Sequence, residues 1–337
     1  MPYFSEKLNW LKENITSFLF TKIPSSSLLK LKNKFIILCY HRIGNKSGSN
    51  CLISSLINGT QEEFEKEIIF LKKYFNIISL DYLVERIDNK EPLPINSLLI
   101  TFDDGYNDNY INAFPILKKY RVPAAVFLTT DFIDNDKDLI WTDKVAYIIK
   151  ETEKGSVNIS GLGTHSLTNR YRKDKAKIAI IEYLKSIDDS EKNKIIDLLS
   201  KDLKVYLGSK ISEKLYLSSK EILEMAKDGI SFGSHGCSHS ILTKISLRQA
   251  QDEIVKSKMK IEELIGKEVT FFAYPNGTYL DFNNEIIEIL KKAGYEAAFT
   301  TIPGGNRHSD SQDIFSLKRI SAGQSLRDLK KNLFLYA

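Results

Sequence analysis

Cysteine is scarce in this chain: Cys39, Cys51 and Cys237 are the only three among 337 residues. An odd number without paired spacing excludes a disulfide-stapled scaffold and fits a reducing compartment. Long hydrophobic runs are also missing, and nothing approaches the length of a membrane-spanning helix. No block of one charge is present either. The formal net charge of +5 is spread along the chain, which argues against a nucleic-acid partner and leaves a weak preference for anionic surfaces or glycans. The first residues lack the basic, apolar and small-residue order of a secretory signal. The expected location is therefore the cytoplasm, with the inner face of the membrane as the alternative. No internal repeat or low-complexity tract stands out.

What is present is ordinary for a globular chain, 42% apolar and 27% charged, and long enough for one large α/β barrel or two smaller domains. Residues 1–34 read as an extension. In it Phe4, Leu8, Leu11, Ile15, Phe18 and Leu19 recur at helical spacing, and Pro24 ends the pattern. Such an amphipathic helix either packs on the domain or makes peripheral contact with a membrane.

From residue 35 to 337, short apolar runs alternate with helical stripes. Strands are expected at Phe35–Cys39, Ile77–Leu80, Leu98–Phe102, Ala124–Thr129, Ile230–Ser234, Val269–Tyr274, Tyr295–Thr300 and Phe315–Ile320. Several are apolar throughout, as strands covered on both faces are. Helices are expected at Gln61–Phe75, where Thr60 and Glu63 form a capping-box pattern, at Ser246–Ile265 before Gly266, and at Asn284–Ala293 before Gly294. Repeated βα units favour a parallel α/β barrel over an open sheet. The rhythm breaks at about 134–217, where Lys175–Ile187 and Glu191–Leu203 look helical and no strand is convincing. This segment reads as a helical insertion in one barrel loop.

Three strand ends carry chemistry. Leu98–Phe102 runs into Asp103-Asp104-Gly105, and a helical stripe follows (Tyr110, Ala113, Phe114, Leu117, Tyr120, interrupted by Pro115), so the acids belong to a βα loop and not to a hairpin turn. Adjacent carboxylates are costly unless a cation or a shared proton relieves them. Gly233-Ser234 leads into His235-Gly236-Cys237-Ser238-His239, two of only five histidines. Four residues apart, they can grip one ion. Phe271-Phe272-Ala273 ends in Tyr274-Pro275-Asn276-Gly277, a rigid bend able to present backbone N–H groups.

Asp-Asp-Gly after Thr-Phe, then His-x-x-x-His, then an aromatic-Pro-x-Gly turn, in this order, resembles the polysaccharide deacetylase family, the NodB-homology or carbohydrate esterase family 4 group. The opening Leu38-Cys39-Tyr40-His41-Arg42-Ile43 and the Phe272-Ala273-Tyr274-Pro275 form resemble a subgroup associated with surface polysaccharides. The resemblance covers about residues 35 to 333. It implies a distorted (β/α)7 TIM-like barrel, Asp103 as catalytic base, and Asp104, His235 and His239 as ligands of a divalent metal. Zinc suits these donors, with cobalt or nickel as alternatives. The turn residues Tyr274, Pro275 and Asn276 would face the substrate and its oxyanion.

There are departures. The arginine that commonly orients the base is absent from its usual place before the turn, and Arg319 is the candidate replacement. Gly236 stands where Ser or Thr is common. The general acid is not identified by motif: His308 is the late histidine, in a Gly-rich polar loop, and His41 at the end of the first strand reads as a supporting residue. The implied reaction removes acetyl from an N-acetylated sugar of a surface polysaccharide, glycolipid or precursor. Competing readings are hydrolysis of O-acetyl groups or of a non-carbohydrate amide, a non-catalytic saccharide-binding member, and a protein without metal.

Overall fold

The computed structural model describes residues 34–45, 52–135, 138–206, 214–307 and 313–337. The amphipathic extension lies outside these residues except for Lys34, and so does His308. In chain order the strands are β1 Lys34–Tyr40, β2 Asn76–Ile77, β3 Ser97–Phe102, β4 Ala124–Leu128, β5 Ser156–Ile159, β6 Gly163–Ser166, β7 Ile230–Ser234, β8 Phe271–Ala273, β9 Ala297–Phe299, β10 Asn306–Arg307 and β11 Ile320–Ser321. Seven of them, β11, β1, β3, β4, β7, β8 and β9, lie side by side in that order with parallel pairing. Leu317 bridges to Phe299, and Ile320 pairs with Leu38. Residues 317–321 thus form a seam that joins the last strand to the first. The result is the distorted (β/α)7 barrel that the motifs imply.

The apolar strands face two ways. Phe35, Ile37, Leu99, Ala125, Phe127, Phe271, Ala273, Ala297 and Phe299 pack together on one face. Their alternates Ile36, Leu38, Tyr40, Leu98, Ile100, Phe102, Val126, Phe232 and Phe272 pack against Phe64, Ile68, Ile254 and Ile286 of the surrounding helices. Both faces are buried, so the sequence shows a continuous apolar run where a one-sided strand would alternate.

Local differences from the sequence reading have clear causes. Ser79 caps the helix Leu80–Asp88, its hydroxyl accepting from Tyr82 N, which cuts the expected Ile77–Leu80 strand to two residues. The expected Phe315–Ile320 strand starts instead within a 3-10 turn at Ile314–Ser316, capped by Asp313, and reaches strand pairing only at the Leu317 bridge and at Ile320. Pro115 causes no break, because it sits in the first turn of the helix Phe114–Tyr120 after one π turn at Asn109–Ala113. The Thr60 cap of helix Gln61–Tyr74 is half a capping box: Thr60 accepts from Glu63 N, while the Glu63 carboxylate turns to Lys66.

Between β4 and β7 the chain builds a satellite with its own core, in which Ile140, Val145, Ile148, Ile180, Ile196 and Leu199 are buried together. Its helices are Trp141–Glu151, Arg170–Ser186 and Asp189–Leu203. The expectation of helices alone is corrected here, because β5 and β6 form an antiparallel hairpin. Val157 and Ile159 are the only buried side chains on its four-residue strands, too short an alternation to read from sequence. The satellite is tied to the loop after Asp104. Tyr106 and Tyr216 both donate to Asp143 Oδ2 at 2.8 Å, and the Arg42 guanidinium lies 4.6 Å from the Tyr106 ring centre.

One buried acid in the helix layer makes stability depend on pH. Glu67 is fully buried and accepts from the Tyr40 hydroxyl at 2.8 Å. Burial pushes its carboxyl up to about 8, outweighing the Tyr40 hydrogen bond. The folded state therefore holds a proton that the unfolded chain releases above its ordinary 4.5. Stability from this group is complete below that value and is lost as pH rises towards 8, by about 1.4 kcal/mol per unit at most. Glu67→Gln removes the titration and keeps an acceptor for Tyr40. In thermal melts, wild type should lose stability from pH 5 to 8 while the variant stays flatter and is the more stable at pH 8. Parallel curves would show that Glu67 is ionised in the fold.

Candidate active site and metal centre

The catalytic-face loops bring Asp103, Asp104, His235, His239 and Arg319 together beneath the surface. Asp103 and Asp104 follow β3 and are 1% and 5% exposed. His235 follows β7, and its backbone N–H donates to Leu128 O on β4. His235 Nε2 lies 3.4 Å and His239 Nε2 3.2 Å from Asp104 Oδ1. The imidazole ring centres are 4.9 Å apart.

This arrangement fits a cation. His235 Nδ1 is 2.7 Å from Ala273 O, so it carries the proton and donates, leaving a lone pair on Nε2. Asp104 Oδ1 is buried without a hydrogen-bond partner among the described residues. At His235 a lone pair therefore meets a carboxylate lone pair, a repulsive geometry unless a positive charge sits between them. Burial is the largest influence on His239 and holds its imidazole below the ordinary range, in the neutral form a metal requires. Burial pushes the Asp104 carboxyl up, but the two histidines outweigh it and hold the group well below its ordinary value. Two donors also sit on left-handed backbone, Asp104 at φ 73° and His239 at φ 63°, a cost of about 1–3 kcal/mol each that the surroundings must impose.

The surroundings that impose it are largely invisible in the sequence. Glu253, on the helix Leu247–Ile265, accepts at Oε2 from Cys237 N (2.7 Å) and Ser238 N (3.0 Å), and at Oε1 from Ser238 Oγ (2.7 Å). It clamps the loop between the two histidines. Gly236 is explained by the same clamp: its φ is +79°, and a Cβ there would come 2.9 Å from Glu253 Oε2. A serine or threonine would collide with the group that holds the loop. From the satellite, Trp141 Nε1 donates to His239 O at 3.2 Å. A buried acid on a helix and one of two tryptophans in a helical stripe carry no motif that would have singled them out.

Arg319 grips Asp103 from both sides of its carboxylate. Its Nη1 donates to Asp103 Oδ1 at 2.7 Å and its Nη2 to Oδ2 at 2.6 Å, while Nε is fixed by Thr300 O at 2.7 Å. The fork is buried, and it reaches Asp103 because Arg319 stands in the seam that closes the barrel, next to β11. Burial pushes the Asp103 carboxyl up, but the guanidinium prevails and holds it below its ordinary value, so it is ionised at neutral pH.

His41 is half-buried at the end of β1. Its imidazole belongs to a cluster with Cys39 Sγ and the Asp103 carboxylate, with donor atoms all within 4.8 Å of one another. Its loop is held by Asn58, which accepts from His41 N at 2.7 Å, and by Asn109, which donates to His41 O at 2.8 Å.

The turn after β8 is narrower in what it can offer than its motif suggests. Tyr274 is corrected as a substrate contact. Its ring is buried and stacked on Phe282 at 4.5 Å, its hydroxyl donates to Phe315 O, and its N–H to Phe299 O. Pro275 has no N–H, and Gly277 N is taken by Pro275 O. The Asn276 N–H is left without an acceptor among the described residues.

The polysaccharide deacetylase family model matches residues 90–298, a span that includes Asp103, Asp104, His235 and His239 but not His41 or Arg319. The provisionally named polysaccharide deacetylase YxkH of Bacillus subtilis (strain 168) is 24% identical over 294 residues, 87% of this chain and 73% of that protein. The poly-beta-1,6-N-acetyl-D-glucosamine N-deacetylase of Staphylococcus epidermidis is 37% identical over 112 residues, 30% of this chain and 38% of that one. Among solved structures, Streptococcus pyogenes deacetylase PplD in complex with acetate has a TM-score of 0.59 at 20% identity, covering 90% of this chain and 97% of that one. IcaB from Ammonifex degensii has a TM-score of 0.57 at 18% identity, with coverage of 90% and 97%. At such identities the two structures attest the fold alone, and the matched span carries the kinship. With the barrel and the ordered motifs, it makes this chain a member of the polysaccharide deacetylase family.

Proposed function

We propose that the chain is a metal-dependent N-deacetylase that hydrolyses the acetamide of an N-acetylated saccharide from a surface polysaccharide, glycolipid or precursor. The observation that carries this reading is the convergence of Asp104 Oδ1 with two imidazole Nε2 atoms at 3.2 and 3.4 Å, beside a second, arginine-held aspartate. A divalent ion held by Asp104, His235 and His239, zinc before cobalt or nickel for this donor set, would lend Lewis acidity to the acetamide carbonyl and to the attacking water.

The chain's own residues do the rest. Asp103 takes a proton from the attacking water. The Arg319 fork fixes both its oxygens, so the carboxylate neither rotates nor drifts. The Asn276 N–H stabilises the negative oxygen that forms on the carbonyl carbon, a contribution of about 3 kcal/mol for such donors elsewhere. His41 delivers a proton to the leaving amine, so water and amide become acetate and free amino sugar. The sequence left this acid unassigned, with His308 as the late histidine and His41 as a supporting residue only. What supports His41 in this role is that its imidazole clusters with the Asp103 carboxylate. The Arg319 fork on Asp103 speaks against a binding-only member, one of whose two supports was the missing arginine.

Metal content and activity together test the reading. The S. epidermidis relative makes β-1,6-linked N-acetylglucosamine oligomers the first substrate to assay. Wild type should bind about one divalent ion per chain and release acetate. His239→Ala should lose both. His41→Ala should keep the metal and lose about 100-fold or more in amide hydrolysis, yet hydrolyse an activated acetyl ester, whose leaving group needs no proton, near the wild-type rate. Unchanged metal content in His239→Ala would sink the ligand set. Equal losses on amide and ester would remove His41 as the acid.

A further inference from the structure

Beyond Asn276 the chain makes a short tip, Thr278–Asp281, that is fixed from every side. Buried Asp281 accepts at Oδ2 from Asn276 Nδ2 (2.6 Å), Thr278 N (2.7 Å) and Thr278 Oγ1 (2.6 Å). Thr301 clasps the inner strand of the loop, its N–H donating to Gly277 O at 2.9 Å and its hydroxyl to Asn276 O at 2.6 Å. From the far side Thr243 donates to Leu280 O at 2.8 Å. Thr243 lies in the 3-10 turn Leu242–Lys244 that follows the His239 loop. The tip therefore spans the two loops that present the Asn276 N–H and the His239 imidazole.

On this fixed tip stand Tyr279, 71% exposed, and Leu280, 81% exposed. Leu280 is the most exposed large apolar side chain among the described residues, and the Tyr279 ring has no hydrogen-bond or ring partner among them. Single exposed apolar residues are common and need no explanation. Two in succession, on a loop over-determined by hydrogen bonds beside the loops of the proposed deacetylation site, are a presented surface. A tyrosine offers a broad amphipathic face with little rotamer entropy to lose. The C–H face of a pyranose ring is its natural complement, with hydroxyls left at the rim for water.

We propose that Tyr279, flanked by Leu280, is a binding subsite that stacks the sugar ring neighbouring the one whose acetamide is cleaved. This rests on the saccharide reading above. It makes the tip a reader of chain length: a monosaccharide that fills the catalytic position cannot reach it, while an oligomer can.

The test compares full-length wild type, Tyr279→Ala, Tyr279→Trp and Leu280→Ala on N-acetylglucosamine and its tetramer and pentamer. For Tyr279→Ala we expect KM for the oligomers to rise about tenfold, equivalent to about 1.4 kcal/mol, with kcat and the monosaccharide rate unchanged. Tyr279→Trp should restore oligomer KM, and Leu280→Ala should show a smaller rise. A fall in kcat on all substrates alike would mark a structural role and overturn the proposal, as would unchanged oligomer KM. Calorimetric binding of the pentamer provides a readout independent of turnover. Tenfold weaker binding by Tyr279→Ala supports the subsite even if acetate release fails, and equal or absent binding overturns it whether or not the enzyme is active. Sedimentation with phosphatidylglycerol and phosphatidylethanolamine vesicles covers the other surface. Vesicle binding lost in Leu280→Ala with oligomer affinity intact would assign the tip to lipid and overturn the saccharide subsite.

Discussion

Asp103→Asn should stop acetate release while the protein keeps its metal. The substitution changes one oxygen to nitrogen in a fully enclosed site, so the barrel and the Asp104, His235 and His239 donors are preserved. What is lost is the ability to accept a proton, and general-base contributions of this kind are about a hundred- to ten-thousandfold. We expect kcat to fall by about a thousandfold, with metal content by elemental analysis within error of wild type. The amide also meets the Arg319 fork with an N–H in place of one oxygen, which mispositions it further. Substantial residual turnover would reassign the base, and loss of metal would mean that Asp103 belongs to the ligand set.

The Arg319 side chain should prove as important to stability as to catalysis. Arg319 is 1% exposed, and its guanidinium makes four hydrogen bonds, two to Asp103 and one each to Thr300 and Thr101, while its backbone N–H donates to Ile302. Arg319→Met leaves a buried carboxylate with no countercharge, and breaking one side of such a pair costs about 3–5 kcal/mol. The double variant Asp103→Asn/Arg319→Met no longer buries that charge and should recover much of the loss, though not the activity. Lysine at 319 should not substitute, since a point charge cannot engage both carboxylate oxygens at once. Urea denaturation of the four proteins at equal metal loading measures the coupling directly. Additive losses would mean that the fork contributes nothing to the folded state beyond its separate parts.

Why some of this was legible and some not follows from where each constraint acts. The catalytic acids and the histidines were readable because their chemistry is local: adjacent carboxylates and an i, i+4 imidazole pair stand out at strand ends. The barrel was readable because strands buried on both faces leave unbroken apolar runs, as in Leu98–Phe102. Arg319 was readable only as a candidate, because the sequence shows a basic residue near a late strand but not that residues 317–321 close the barrel. Glu253 and Trp141 were not readable at all, since each acts across space on a loop that no local pattern links to it. Tyr274 was misread as a substrate contact because an aromatic-Pro-x-Gly turn announces its backbone bend, whereas the destination of the ring is decided by Phe282 and Phe315. The hairpin β5–β6 escaped because two buried residues in four are too short a period to register.

The position of the seam sets an order of events for the emerging polypeptide. By the time position 299 has been made, both aspartates, both imidazoles and six of the seven parallel strands exist, but β9 and β1 still present unpaired rims and Asp103 has no cation beside it. Backbone groups along such rims invite pairing with other molecules, and an uncompensated acid resists being enclosed. The segment that covers both rims also delivers the guanidinium, so a shortened product ending before position 319 would be inert and prone to self-association at once. Closing the cylinder and arming its base are one event.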